Sequence, residues 1–254
     1  YEEGIQTEDY PVKQLFSHLI PIYQLDASRL DLEKESFGTR TLDRFRSLWD
    51  AEELPCSVKK EIAGKERRIA GYANRLKLFS GLCCEKKREK MLSKSGFSSR
   101  ISVQDASNGQ YFGSPAEGSC AEGDQDDFFD FPDLHITHGD AGGNCILNGK
   151  RFVIMDWDSV KLAPAERDAW FFLCDEKQIA AISRQLEEQG AGYPLRQERL
   201  CYYCYESFFL YLTEYMENIL CAQEEGRRQR MEKALAGYLA DNWIYRQLGI
   251  ADAM

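Results

Sequence analysis

His138-Gly139-Asp140-Ala141-Gly142-Gly143-Asn144, then Cys145-Ile146-Leu147-Asn148-Gly149-Lys150-Arg151-Phe152-Val153-Ile154-Met155, then Asp156-Trp157-Asp158, is the stretch on which the fold turns. A polar, glycine-rich loop comes first. Two short apolar runs follow, Cys145-Ile146-Leu147 and Phe152-Val153-Ile154-Met155, with Asn148-Gly149 between them. Asn-Gly between apolar runs is the strongest short-range hairpin signal, because both residues accept the positive φ of a type I′ turn. The predicted register sets Leu147 opposite Lys150 and Cys145 opposite Phe152. Asn144 and Asp156 then both lie at the end of the hairpin away from its turn, and Asp140 lies in the loop before it.

Outward from the hairpin the periodicity becomes helical. On the N-terminal side, Leu134 to Thr137 reads as a short strand. Earlier still, about Tyr10 to Tyr23 carries Val12, Leu15, Phe16, Leu19 and Ile20 on one helical face. Arg40 to Trp49 carries Leu42, Phe45 and Leu48, and one long helix is predicted from Ser57 to Phe79, with Ile62, Ile69, Ala73 and Leu76 inward. After Pro164 the chain reads as helix to its end, with stripes at Tyr202, Tyr205, Phe208, Leu212 and Tyr215 and again at Leu235, Tyr238, Leu239 and Trp243. The predicted class is mainly α with a small β hairpin element. Residues 96–127 are rich in Ser, Gly, Asp, Asn and Gln and end on Glu122-Gly123-Asp124-Gln125-Asp126-Asp127. So long a polar stretch inside a compact domain reads as a mobile insertion loop.

Composition narrows the function classes. Across 254 residues, 42 acidic side chains outweigh 32 basic ones, for a net charge of −10. Such a chain repels nucleic-acid phosphates and anionic membranes and accepts cationic ligands. No apolar run reaches membrane-spanning length. The 9 cysteines are scattered and include the adjacent pair Cys83-Cys84, a usage that fits a reduced, cytoplasmic protein. Cys201 and Cys204 form a C-x-x-C pair, but no second pair stands at ligand spacing, so burial in a helical stripe is the simpler expectation. His18 and His135 likewise lack partners at ligand spacing and read as structural.

The loop and hairpin supply the chemistry. Two oxygen-bearing side chains brought together, Asn144 and Asp156, suit a hard cation such as Mg²⁺. Asp140 is left to face a substrate. Phosphoryl transfer uses such parts: metal neutralises charge on the transferring group, and a carboxylate orients the nucleophile and takes its proton. The order Asp, Asn, hairpin, Asp is the one kinases use.

His138-Gly139-Asp140, Asn144 and Asp156-Trp157-Asp158 resemble the aminoglycoside phosphotransferase and choline kinase superfamily. The continuation Asp156-Trp157-Asp158-Ser159-Val160, Ala163-Pro164 and Glu166-Arg167-Asp168 looks especially like the spectinomycin phosphotransferase branch. The motifs span roughly residues 134 to 173. The resemblance implies the C-terminal, catalytic lobe of a protein-kinase-like fold and ATP-dependent phosphorylation of a hydroxyl on a small molecule. It implies Asp140 as catalytic base, Asn144 and Asp156 as Mg²⁺ ligands, Asp168 as a brace of the catalytic loop and His138 as a structural member of it. Asp158 reads equally as a turn residue and as a further metal ligand.

The sequence departs from the kinase pattern in two places. Only Ala141, Gly142 and Gly143 separate Asp140 from Asn144, where kinases have four residues. That shortens the loop by up to roughly 3.5 Å. The glycines either turn the backbone tightly enough to compensate, or the metal site is lost. Before His138 there is no glycine-rich phosphate loop or strand lysine of the kinase kind. Tyr1-Glu2-Glu3-Gly4 resembles the hinge that leaves the nucleotide lobe, so residues 1–254 are expected to form a catalytic lobe without its nucleotide-binding partner. The expected ligand is a cationic small molecule of aminoglycoside or aminocyclitol type. The alternatives are a choline, sugar or hydroxyamino-acid kinase, and a catalytically inactive binding protein on the same scaffold.

Overall fold

The computed structural model describes residues 12–84, 133–148, 151–189, 194–240 and 242–254. The insertion predicted at 96–127 and the hinge-like Tyr1-Glu2-Glu3-Gly4 lie outside them. The chain divides into two compact units, one of Tyr1–Glu35, Phe131–Cys204 and Trp243–Met254, the other of Ser36–Asp130 and Tyr205–Asn242.

The first unit holds the quoted stretch. Helix α1 (Val12–Tyr23) buries the predicted face, Val12, Leu15, Phe16, Leu19 and Ile20, and adds Tyr23. Each such apolar side chain taken from water contributes about 1.5–3 kcal/mol. Strand β1 (His135–Thr137) pairs antiparallel with β4 (Lys161–Ala163), His135 opposite Ala163 and Thr137 opposite Lys161. The sequence pattern missed β4, because three residues carry too little periodicity to announce a strand. Glu33 and Glu35 extend this sheet through backbone bonds to Leu162 of 2.8 and 2.7 Å. Downstream lie α5 (Glu166–Ala169), a 3₁₀ turn (Trp170–Phe172), α6 (Glu176–Glu188) and the terminal α9 (Ile244–Ala253). The Asp175 carboxylate caps α6 by accepting from the amides of Lys177 and Gln178, which satisfies donors that have no partner inside the helix.

Strands β2 (Cys145–Asn148) and β3 (Arg151–Ile154) form the expected hairpin, but its register differs from the predicted one by two residues. Cys145 faces Ile154 and Leu147 faces Phe152, and Gly149-Lys150, not Asn148-Gly149, separate the paired ends. A two-residue slip preserves which side chains share a face. Cys145 and Phe152 are therefore still buried together, while Val153, on the opposite face, is 38% exposed. The slip moves the open end of the hairpin. Asn144 now stands opposite Met155, whose amide donates to the Asn144 carbonyl at 2.9 Å, and Asp156 is the next residue.

The second unit is helical among its described residues: α2 (Arg40–Asp50), α3 (Cys56–Ala63), α4 (Glu66–Cys83) and α8 (Glu225–Ala240), with the later part of α7 (Gln197–Cys221). The single helix predicted from Ser57 to Phe79 is in fact two. Gly64, a weak helix former, and Lys65 interrupt it, and Lys65 takes φ −117° and ψ 11°. An aromatic cluster fills this unit. Tyr72 stands edge-on to Phe208 at 5.0 Å, Phe45 lies 5.6 Å from Phe209, and the Tyr238 hydroxyl donates to the Phe208 carbonyl.

Candidate active site

The site grows from one buried carboxylate. Asp168 sits on α5, 2% exposed, and accepts three hydrogen bonds. Its Oδ1 takes the Gly139 amide at 2.5 Å; its Oδ2 takes the His138 amide at 3.2 Å and the Tyr23 hydroxyl at 2.8 Å. A buried carboxylate that accepts backbone amides holds those amides in one place. These three bonds tie Asp168 to the backbone at His138 and Gly139 and to Tyr23. Tyr23 is a member the sequence did not offer, since it reads there only as the end of the first helix.

His138 is fully buried and links two segments. Its Nδ1 accepts the Asp140 amide at 3.2 Å, so the ring proton belongs on Nε2, which donates to the Met155 carbonyl at 2.7 Å. The Trp157 ring stands edge-on to the imidazole at 4.7 Å. Asp156 lies between those two contacts with φ 61°, in the left-handed region that a non-glycine residue enters at a cost. It is exposed, as is Asp158.

The shortened loop closes without using its glycines for backbone freedom. The Asn144 amide reaches the Ala141 carbonyl at 3.3 Å, and neither Gly142 nor Gly143 has positive φ. Gly142 is required for space: a Cβ there would lie 2.6 Å from the Phe171 ring. Gly139, at φ 89°, needs the freedom that Ala and larger residues lack. The Asn144 side chain turns back on the loop. Its Nδ2 donates to the Asp140 carbonyl at 2.9 Å and to Asp140 Oδ2 at 3.0 Å. With the nitrogen so engaged, the amide oxygen is the end left to meet a cation. Asn144 and Asp156 thus offer hard oxygen donors from adjacent strand ends, a set that fits Mg²⁺. Among the described residues no group of three or more His, Cys, Asp or Glu side chains gathers as a metal site. A pair is compatible with Mg²⁺, which keeps several waters and phosphate oxygens in its shell.

The neighbours of Asp168 on α5 also point at separate targets. Glu166 is buried; its Oε1 accepts the Arg196 amide at 2.7 Å and its Oε2 stands 3.8 Å from Arg199. Burial pushes the Glu166 carboxyl above its ordinary value near 4.5, against the lowering effect of Arg199. Arg199 is itself buried and paired with Asp133 at 2.5 Å. Arg167 donates to Thr137 and to Ser159. The two histidines set aside earlier serve packing: His18 lies against Phe152 at 4.9 Å, and His135 stacks on Tyr23 at 5.3 Å. Cys201 and Cys204 are buried on α7, and the Cys201 thiol faces the Met254 sulfur at 3.8 Å.

A mainly helical chain whose short hairpin presents an Asp loop on one side and an Asp-Trp-Asp segment on the other has the architecture of a kinase-like catalytic lobe. Solved structures with this fold bear that out. Spectinomycin phosphotransferase APH(9)-Ia, in complex with ADP and spectinomycin, matches with a TM-score of 0.56 and 17% identity, over 100% of this chain and 69% of its own. The AMP-bound complex of the same enzyme matches at 0.54 and 16%, over 99% and 69%. No protein-family model matches the chain, and no curated protein matches it. Among the described residues no helix is long and apolar enough to cross a membrane.

Proposed function

We propose that this chain carries the catalytic lobe of an ATP-dependent small-molecule phosphotransferase, with the hydroxyl of a cationic, aminocyclitol-like compound as acceptor. The observation that carries this is the engagement of Asn144 Nδ2 by Asp140, which leaves the amide oxygen as the free end beside a loop carboxylate, with the exposed Asp156 following Met155, the residue paired with Asn144. Asp140 accepts a hydrogen bond from the acceptor hydroxyl, orients it in line with the terminal phosphate and takes its proton as the new O–P bond forms. The bond from that phosphorus to the bridging oxygen breaks, and ADP leaves with the electron pair. Mg²⁺ held by Asn144 and Asp156 would supply neutralisation of the phosphate charge. His138 and Asp168 fix the loop backbone, so that Asp140 meets the hydroxyl with little reorganisation. The cationic acceptor is favoured by the net charge of −10 and by the spectinomycin bound to the structural neighbour. Contacts to the rest of the nucleotide are assigned to a separate nucleotide lobe, and the protein to the cytoplasm, on the sequence arguments above.

The test is an acceptor panel offered with ATP and Mg²⁺ to the longest form of the protein that contains this chain. The panel contains an aminocyclitol antibiotic, choline, a hydroxyamino acid and a neutral sugar, with ADP release and the ³¹P spectrum of the product as readouts. ADP release that depends on the aminocyclitol supports the proposal. Turnover with the neutral sugar alone moves the substrate class, and binding of the aminocyclitol without phosphate transfer marks an inactive scaffold protein.

A further inference from the structure

Three ties flank Asp156 in its left-handed conformation: before it, the Met155 amide on Asn144 and the Met155 carbonyl on His138, and after it, the Trp157 ring against the same histidine. Beyond Trp157 the segment runs through Asp158 to Ser159. There a single side chain from α5 takes hold. Arg167 donates to the Ser159 carbonyl at 2.7 Å. The same guanidinium donates to the Thr137 carbonyl at 3.2 Å and to the Thr137 hydroxyl at 3.0 Å. Between these two anchors it lies flat enough against the loop backbone that a Cβ on Gly139 would stand 2.2 Å from its central carbon. Gly139 thus answers two demands, a positive φ and a cation against its Cα.

We infer that Arg167 is a positioning residue, whose guanidinium ties the Asp140 loop to the segment after Asp156 and so fixes the two carboxylates relative to each other. Planarity makes arginine suited to the task. Its donors lie in a rigid fork, so fixing Ser159 at one end and Thr137 at the other also fixes the distance between them. A lysine has one mobile ammonium and cannot hold both ends at once. All three acceptors of Arg167 are backbone carbonyls or a hydroxyl, so the guanidinium is bound there by geometry. The chemical consequence, but not the tie itself, rests on the phosphotransfer proposed above. Misplacing a reacting group by about 1 Å costs on the order of 10²-fold in rate.

The experiment compares Arg167→Lys and Arg167→Ala with the parent protein by amide hydrogen exchange and by steady-state kinetics. Exchange should rise at 137–141 and at 157–160 together in both variants, while α6 (Glu176–Glu188) keeps its protection. Exchange that rises in one segment alone, or in neither, overturns the inference whatever the protein catalyses. For a protein that transfers phosphate, kcat should fall by about 10²-fold in both variants with the acceptor KM little changed, and added guanidinium should restore part of kcat to Arg167→Ala but not to Arg167→Lys. A lysine variant with normal kcat, or a loss that appears only in KM, contradicts the positioning role. A parent protein with no transfer to any acceptor refutes the phosphotransfer proposal and leaves the exchange result to decide the inference.

Discussion

Replacing Asp168 by asparagine removes one of two accepting oxygens from the group on which the catalytic loop hangs. The carboxylate takes the Gly139 amide on Oδ1, and the His138 amide and Tyr23 hydroxyl on Oδ2. An asparagine accepts through its oxygen but donates through its nitrogen. The less damaging orientation keeps the oxygen under His138 and Tyr23 and turns an N–H₂ toward the Gly139 N–H. The loss is then one charge-assisted bond, the shortest of the three at 2.5 Å, in a site where the carboxylate is 2% exposed. Leaving such a buried partner unsatisfied costs about 1.5–3 kcal/mol. Tyr23→Phe deletes one donor to the same carboxylate, leaves both amides in place and strands no buried N–H, so the low end of that range, about 1.5 kcal/mol, is expected. Urea unfolding of both variants, compared at equal slope, gives the two losses. An Asp168→Asn loss no larger than that of Tyr23→Phe, or within about 0.5 kcal/mol of zero as for an ordinary surface change, refutes the brace.

Glu166→Gln tests burial against pairing around Arg199, Asp133 and Arg196: the raised Glu166 carboxyl contributes stability that is full below its unfolded value near 4.5 and is lost as pH rises through its folded value. The parent should therefore lose stability relative to the Gln variant as pH rises above about 4.5, and denaturation midpoints whose gap stays constant as pH rises contradict the assignment. Gly142→Ala should cost about 1–3 kcal/mol, because its Cβ would meet the Phe171 ring, whereas Gly143→Ala should cost less, its nearest neighbour being Asp140 Oδ1 at 3.9 Å. Equal midpoints for the two glycine variants would remove the steric argument. Asp156→Ala should raise the Mg²⁺ concentration needed for transfer more than Asn144→Ala, since a carboxylate binds a hard dication better than an amide does, and a metal titration showing equal shifts overturns that order.

Local chemistry was legible in the sequence where it was carried by adjacent residues. The Asp140 loop, the hairpin and the Asp156 segment are contiguous, so their order alone placed the candidate base and metal ligands near one another. Register was not legible to the same accuracy. Asn148-Gly149 satisfies a tight turn, but Leu147 and Phe152 meet across Asn148↔Arg151, and packing of Cys145 and Phe152 on one face is equally served by either of two registers that differ by two residues. The break at Gly64 escaped because the apolar face of Ile62 and Ile69 continues across it. The contacts of Tyr23 with Asp168 and of Arg167 with Thr137 join residues far apart in sequence, and no local pattern announces them. Gly142 and Gly143 read in the sequence either as the source of a tighter turn or as the mark of a lost metal site; the turn is made by the Asn144 bonds to Ala141 and Asp140, and Gly142 is there to admit Phe171.

The central claim is that Asp140 is the base of a phosphoryl transfer. Asp140→Asn keeps the oxygen that can accept from Asn144 Nδ2, so the loop geometry should survive. The decisive measurement is the acceptor-dependent rate of ADP release for this variant beside the parent, with far-ultraviolet circular dichroism of both. The expected result is unchanged helicity with a rate lower by about 10²- to 10⁴-fold, the usual contribution of a general base. Near-parental turnover at unchanged helicity would contradict it.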